Sequence, residues 1–383
     1  MIDLRILSRL NVPDKHRRLD ALRDIHANTA YPPANPRYVN NHIHTSYSFS
    51  PYSPAAAVYA ARAEGLCTAG IVDHDSIAGA NEFLQAAEII DMPATLGAEF
   101  RVSLADTPLA QLRTNNPDQS GIAYMTLQGV PRSSITAVQG WFTPFRAARN
   151  MRNENMVRNI NALLRDESIA LDFKLDVLPL SMWNDGGSVT ERHLMYALAG
   201  ALIKKVGMGS GLISLLERLD IPLNSTQTQQ LLDTHYPFYA YDVLGILKGV
   251  FVPRIYVDAH DECPSLSQAV SFAKDVGAIL CYPYLGDVTQ NITGDKRAQR
   301  FEDAYLDELL KVMFNAGVHA VTYMPARNTR QQLLRVRSLC EKLNMFQVSG
   351  EDVNSPRQSF ICSAMDDPLF DNLIKNTWTL IAR

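Results

Sequence analysis

Apolar residues recur at helical spacing near the N-terminus, at Leu4, Leu7 and Leu10 and again at Leu19, Leu22 and Ile25. That period predicts amphipathic helices broken near Pro13. Pro32, Pro33 and Pro36 then form a stiff lead-in. From Tyr38 the pattern changes, and Tyr38–His44 reads as a first strand. Ser53-Pro54 supplies an N-cap and a first-turn proline for a helix running through Ala63 and stopping at Gly65. Ala69–Val72 is a short buried strand ending at Asp73-His74-Asp75, and Asp75 or Ser76 caps a helix to about Ile90. Ala94–Ala98 is the next strand, closed by Glu99. Polar groups gather at the C-terminal end of each strand, which is where parallel α/β barrels keep their chemistry.

After Val102 this rhythm is lost until about Pro253. Helical patterns around 147–165, 190–205, 212–219 and 225–233 alternate with loops rich in Asn, Gly and Pro. Gly207–Gly211 follows a helix and precedes no lysine, so it reads as a flexible turn and not as a phosphate loop. Then the strand–helix alternation returns. Ser265–Gln268 is a capping box opening a helix to Gly277, and Ala278–Cys281 is a strand ending at Tyr282-Pro283. A helix from about Phe301 to Asn315 precedes the strand Ala320–Tyr323. Thr329–Gln332 opens another helix, and Phe346–Val348 is a last strand ending at Gly350-Glu351-Asp352. The reading is an α/β chain with a helical extension over 1–38, a barrel built from 39–102 and 254–383, and an inserted, mostly helical subdomain over 103–253.

Composition adds exclusions. The 383 residues are 46% hydrophobic and 20% charged, which is ordinary globular composition with length for a large core. A net charge of −4 advertises no nucleic-acid partner. Five cysteines, widely spread and without a CxxC pair, read as reduced thiols. The N-terminal segment is too charged for a signal peptide, and no run reaches the ~18 apolar residues of a membrane span. The expectation is a cytoplasmic protein.

The candidate chemistry starts at His42-Ile43-His44. On a strand, residues two apart leave the same face, so the two imidazoles begin a metal site. An HxH pair alone is commonly incidental, and an Asp-His-Asp alone is commonly a helix cap. The weight lies in order and placement: His42 and His44, then Asp73-His74-Asp75, then Glu99, then Asp352, each at a predicted strand end. Such N and O ligands suit Zn²⁺, Mn²⁺ or Fe²⁺.

At these residues the chain resembles the polymerase-and-histidinol-phosphatase (PHP) family of metal-dependent phosphoesterases, over roughly 39–102 and 255–365. His42–Thr45 looks like its first motif, Asp73–Asp75 its second, Glu99 its third, and Gly350–Asn354 its last. The resemblance implies a distorted, TIM-like (β/α)₇ barrel with metals at the C-terminal mouth. It implies metal ligands at His42, His44, Glu99 and Asp352, with Asn354 standing where the family has a histidine. His74 is either a ligand or a group behind the ligands. Phe49 stands near a further ligand position, Tyr282 replaces the histidine of a His-Pro pair, and no histidine follows Glu99 in 122–129. One well-formed divalent metal site is therefore expected, with the others weakened. His193, in Thr190–His193, resembles an element of the nucleotide-processing subgroup. It could hold a phosphate, take up a metal position, or be a half-buried helix-start histidine. His193 and Asp73 are the candidate proton donors. Arg101, sharing a strand face with Glu99, is a candidate phosphate contact, as are Arg327 and Arg357 in loops and Tyr282. The implied activity is hydrolysis of a small phosphorylated substrate, a phosphomonoester or nucleotide, by metal-activated water. The alternative is a weakened scaffold that binds a metal or phospho-ligand in a regulatory role. An amidohydrolase-type reading is disfavoured, because the later strands carry no lysine or histidine at their ends.

Overall fold

The computed structural model describes residues 3–287, 300 and 302–383. The N-terminal pattern folds as helices α1 (Leu4–Leu10) and α2 (Lys15–Ala27), each opened by an aspartate cap, Asp3 and Asp14. Then come β1 (Asn35–Ile43), α3 (Pro54–Ala63), β2 (Leu66–His74), α4 (Ala80–Ile89), β3 (Ala94–Ser103) and β4 (Ile122–Gln128). A helical stretch follows: α5 (Ile135–Leu163), α6 (Glu191–Val206), α7 (Ser210–Arg218), α8 (Ser225–Leu232) and α9 (Tyr239–Ile255). The chain closes with α10 (Leu266–Asp275), β5 (Ile279–Pro283), α11 (Leu306–Ala316), β6 (Ala320–Tyr323), α12 (Arg330–Leu343), β7 (Phe346–Ser349) and α13 (Asp371–Ile381).

The seven strands form one sheet in sequence order, β1 to β7. Pairings are parallel except at β4, which runs antiparallel to both β3 and β5. The sheet curls into a nearly closed, distorted (β/α)₇ barrel. Closure is made by the chain just beyond β7. Val353 N–H donates to the His42 carbonyl (3.2 Å), and His44 N–H donates to the Val353 carbonyl (3.0 Å). One turn of sequence earlier, the Asn40 amide donates to the Glu351 carbonyl (2.9 Å) and accepts from the Glu351 N–H (3.0 Å), replacing a missing ladder rung with a side chain.

Among the described residues two large apolar cores form, beside a small cluster of Cys281, Ala320, Val348 and Leu380. One fills the barrel and its helix layer, with Ile43, Ile71, Leu96, Val321 and Tyr282 among its members. The other lies within the helical stretch, where α6 and α9 contribute Leu194, Leu198, Leu202, Leu244, Leu247 and Phe251.

Several expected boundaries shift for physical reasons. Ile122–Gln128 lies in the 103–253 stretch read as inserted, yet it pairs on both edges into the barrel sheet. α5 begins at Ile135 and not near 147, and it runs through Pro144, which disfavours a helix interior. α9 is almost uniformly apolar and lacks a helical stripe, which hid it from a periodicity reading. Asp75 does not cap α4: it has φ 50°, and its carboxylate pairs with Arg149, while α4 starts five residues later. Phe301 lies outside the described residues, and α11 starts at Leu306.

Candidate metal centre

The donor atoms of four expected residues converge at the barrel mouth. His42 Nε2 lies 3.2 Å from His44 Nε2 and 3.5 Å from Glu99 Oε2. His44 Nε2 lies 3.7 Å from Glu99 Oε2 and 3.3 Å from Asp352 Oδ1. His74 Nδ1 approaches the same Glu99 oxygen at 3.3 Å. Ligand atoms around a four-coordinate cation held at about 2.0–2.2 Å stand about 3.3–3.6 Å apart. The observed spacings fall around that edge length. Two imidazole nitrogens facing each other between carboxylates also form a donor set that a divalent cation satisfies and an empty, apolar packing would not. Two overlapping groups qualify, His42–His44–Asp352 and His44–His74–Glu99. The residues present therefore fit a divalent metal.

Local structure explains the convergence. Strand alternation, carried one residue past the end of β1, puts His42 and His44 on one face. Asp352 is brought beside them because Val353 is pinned between the His42 and His44 backbones. Gly350 permits that approach: a Cβ on it would stand 2.6 Å from the His42 Cβ. His74 and Glu99 are direct partners in the parallel β2–β3 register. Asn354 Nδ2 donates to Asp352 Oδ1 at 2.5 Å, and its buried Oδ1 has no hydrogen-bond partner among the described residues. That oxygen remains available as a ligand. Burial alone would raise the Glu99 carboxyl, but His74, His42 and His44 outweigh it and hold the pKa at about 2. Burial drives His74 down to about 3, with Glu99 opposing. The pair is a carboxylate beside a neutral imidazole at neutral pH, the protonation states that ligate metals.

His42, His74, Glu99, Asp352 and Asn354 line a cavity of 280 Å³, together with Arg101, Tyr124, Arg149, Glu191, Arg192 and Lys248. Behind one wall lies a buried charge network. Arg101 donates to Glu262 (2.5 Å), Glu191 (2.7 Å) and the Tyr124 hydroxyl (2.9 Å). Arg152 pairs with Glu191 (2.5 Å) and Glu262 (2.7 Å), and Arg149 with Glu191 (2.9 Å) and Asp75. Arg101, Arg149 and Arg152 thus face Asp75, Glu191 and Glu262, with no net charge. The network ties β3 and the β2 end to α5 and α6.

Other expected site residues stand elsewhere. Asp73 is fully buried on the face of β2 opposite His74 and is saturated by Thr45 and Ser48, so it donates no proton into the mouth. His193 is fully buried. Its Nδ1 accepts from the Thr190 N–H (3.0 Å) as the N3 partner of a capping box, and its ring packs on Phe49 (4.9 Å). It does not line the cavity. Its neighbours Glu191 and Arg192 do. The T-x-x-H spacing after Thr190 was the available signal. Phe49 has φ 107°, a strained conformation for an aromatic residue, and wedges against His193, Tyr196 and Tyr241. Tyr282 points into the core and donates to Glu302, while the next residue, Pro283, lines the cavity. Arg327 donates to the Leu285 carbonyl (3.1 Å) outside the cavity lining. Arg357 makes a bidentate pair with Asp242 (2.6 and 2.7 Å) over the Tyr236 ring, away from the mouth. Arg101 does line the cavity but is committed to its carboxylates. Arg149, three residues from both Arg146 and Arg152 on α5, escaped the sequence reading, as did Lys248.

Among the described residues, no single helix is long and apolar enough to cross a membrane. No family model matches the chain. Over 96 residues, 24% of this chain, it is 33% identical to the error-prone DNA polymerases of Mycobacterium bovis and Mycobacterium tuberculosis, and the match spans only 8% of their length. Among solved structures it is similar to a Bifidobacterium adolescentis protein assigned as a metal-dependent phosphoesterase, with TM-score 0.55, 18% identity, 90% of this chain and 98% of that one. It is also similar to an amidohydrolase from Chromobacterium violaceum solved with bound sulfate and no metal, with TM-score 0.55, 15% identity, 88% of this chain and 96% of that one. At these identities the likeness is one of fold: this chain has the barrel architecture of those two proteins.

Proposed function

We propose that this chain is a cytoplasmic, metal-dependent phosphoesterase of the PHP kind, hydrolysing a small phosphomonoester or nucleotide. The observation that carries the reading is the set of donor atoms from His42, His44, Glu99 and Asp352 at spacings of 3.2 to 3.7 Å. A divalent cation of the Zn²⁺, Mn²⁺ or Fe²⁺ class, when bound there, would polarise a phosphoryl oxygen and lower the pKa of water. The protein's own groups supply the rest. Arg192 from α6 and Lys248 from α9 bring positive charge to the cavity, which favours an anionic ester. Val252, Pro253, Leu285 and Met324 form an apolar wall that would seat the leaving group and keep bulk water out. Asp118 also lines the cavity, and its pKa is raised by burial and then by Glu191. It is the lining carboxyl suited to give the leaving oxygen its proton.

A second reading, a weakened scaffold that binds a metal or phospho-ligand in a regulatory role, is favoured by Phe49. Its ring is spent on the helical core where a further ligand was expected. One experiment separates the readings. Metal content is measured in wild type, His42→Ala and Asp352→Ala, and the metal-replete protein is assayed with Mn²⁺ on phosphomonoesters, nucleotides, short oligonucleotides and amide substrates. The leading reading expects bound metal lost in both variants, together with phosphoester turnover. Metal without turnover supports the second reading. Turnover on amides alone refutes the phosphoesterase assignment, and full metal in both variants refutes the site.

A further inference from the structure

We infer that Asp73 and Ser48 are positioning residues that set the tautomer of His44, an inference that rests on the metal-site reading above. Asp73 sits at the end of β2 with its carboxylate fully buried. Its Oδ1 accepts from the Thr45 N–H (2.7 Å) and the Ser48 hydroxyl (2.6 Å), and its Oδ2 accepts from the Thr45 hydroxyl (2.6 Å). Contacts of 2.6 Å between a hydroxyl and a carboxyl oxygen are in the range of charge-assisted bonds to a carboxylate.

The direction of each bond follows from what the groups can donate. A carboxylate has no proton to give, so the Ser48 hydroxyl spends its single proton on Asp73. Toward His44, whose Nδ1 is 3.2 Å from the Ser48 oxygen, Ser48 can then only accept. The hydrogen on the imidazole must lie on Nδ1. Nε2 is left with its lone pair, and it is Nε2 that faces His42, Glu99 and Asp352. A chain of one carboxylate and one hydroxyl therefore orients and polarises the ring from the side away from the cavity. A carboxylate behind a histidine fixes the ring's tautomer in metal sites and in catalytic triads alike. Here a serine stands between the two. The Thr45 hydroxyl donates to Asp73 and accepts from the Tyr47 N–H (3.3 Å), and neither bond is to the His44 ring, so it separates orientation from packing.

The test uses the full-length protein. Long-range ¹H–¹⁵N correlation of the metal-free protein reads the His44 tautomer, assigned by its loss in His44→Gln, and titration with Zn²⁺ or Mn²⁺ reads affinity. Wild type is expected to show a single Nδ1–H tautomer. Ser48→Ala and Asp73→Ala are expected to admit the Nε2–H form and to weaken metal binding about 10–100-fold. Asp73→Asn keeps an oxygen for the Thr45 N–H and the Ser48 hydroxyl, so it retains the tautomer and most of the affinity. Thr45→Val changes affinity less than about threefold. If Asp73→Ala does not fold, Ser48→Ala decides the matter. An Nε2–H tautomer in wild type, unchanged tautomer and affinity in Ser48→Ala, or Thr45→Val weakening binding as much as Ser48→Ala overturns the inference. If the metal-free tautomer is as stated and no metal binds the wild type, the relay stands and the metal reading falls.

Discussion

Removing the charge of Glu191 exposes how the helical stretch is fixed to the barrel. Its carboxylate is met by Arg101 (2.7 Å), Arg149 (2.9 Å) and Arg152 (2.5 Å), with a side chain about one-tenth exposed. In wild type, three guanidinium groups face three carboxylates. Glu191→Gln leaves three cations against Asp75 and Glu262, and one buried positive charge is uncompensated. Breaking a buried ion pair by removing one partner costs about 3–5 kcal/mol. With a urea slope on the order of 3 kcal/mol/M, the unfolding midpoint falls by about 1–1.7 M. Glu191 also lines the cavity, so the same change should strengthen binding of inorganic phosphate while the fold weakens. The pH dependence has a definite sign. Burial would raise the Glu191 pKa, but Arg101, Arg149 and Arg152 outweigh it and hold it well below 4.5. The native state therefore binds the proton less tightly than the unfolded chain. The stabilisation is complete above 4.5 and is lost as pH falls below it, and Glu191→Gln should flatten that acid limb. Urea titrations of both proteins from pH 3 to 8 and calorimetric phosphate titration measure all three effects. A variant within about 0.5 kcal/mol of wild type, with unchanged phosphate affinity, would refute the claim that this network is desolvated and balanced.

Glu302 should give the opposite slope. Burial, opposed by bonds from Tyr282, Gly286 and Leu285, raises its pKa to about 7. The native state holds that proton more tightly, so the contribution is full below about 4.5 and falls by roughly 3 kcal/mol as pH rises to 7. Glu302→Gln, which keeps an acceptor for the Leu285 and Gly286 N–H groups, should remove this loss in urea midpoints taken from pH 4.5 to 8. Gly350→Ala places a Cβ 2.6 Å from the His42 Cβ. It should cost about 1–3 kcal/mol and release bound metal from a protein whose far-ultraviolet dichroism is unchanged. Retention of full metal there would mean that the last loop tolerates displacement from β1.

What the sequence disclosed, and what it hid, follows from the range over which each signal acts. Ser53-Pro54 and Ser265–Gln268 start helices through bonds made within four residues, so the starts of α3 and α10 were legible to within a residue. His42 and His44 were legible because a strand alone puts residues two apart on one face. The same rule, applied one residue along, separates Asp73 from His74 on β2 and Tyr282 from Pro283 on β5. The expectation failed there because it placed a motif at the mouth without asking which of its residues faced in. For His193 the helix-start alternative is the one the geometry matches, for a local reason: its Nδ1 is engaged by the first turn of α6. Nothing local marks Arg149 or Lys248. Their places depend on α5 and α9 lying against the barrel mouth, which is set by contacts among residues far apart in the chain. The balance of charge at that mouth is equally non-local. Arg101 reads as a free phosphate contact until Glu191 and Glu262, 90 and 161 residues away, are seen to consume it. The proposed substrate contact is therefore assigned to Arg192 and Lys248, which line the cavity, and to a bound cation, and not to the conspicuous strand arginine.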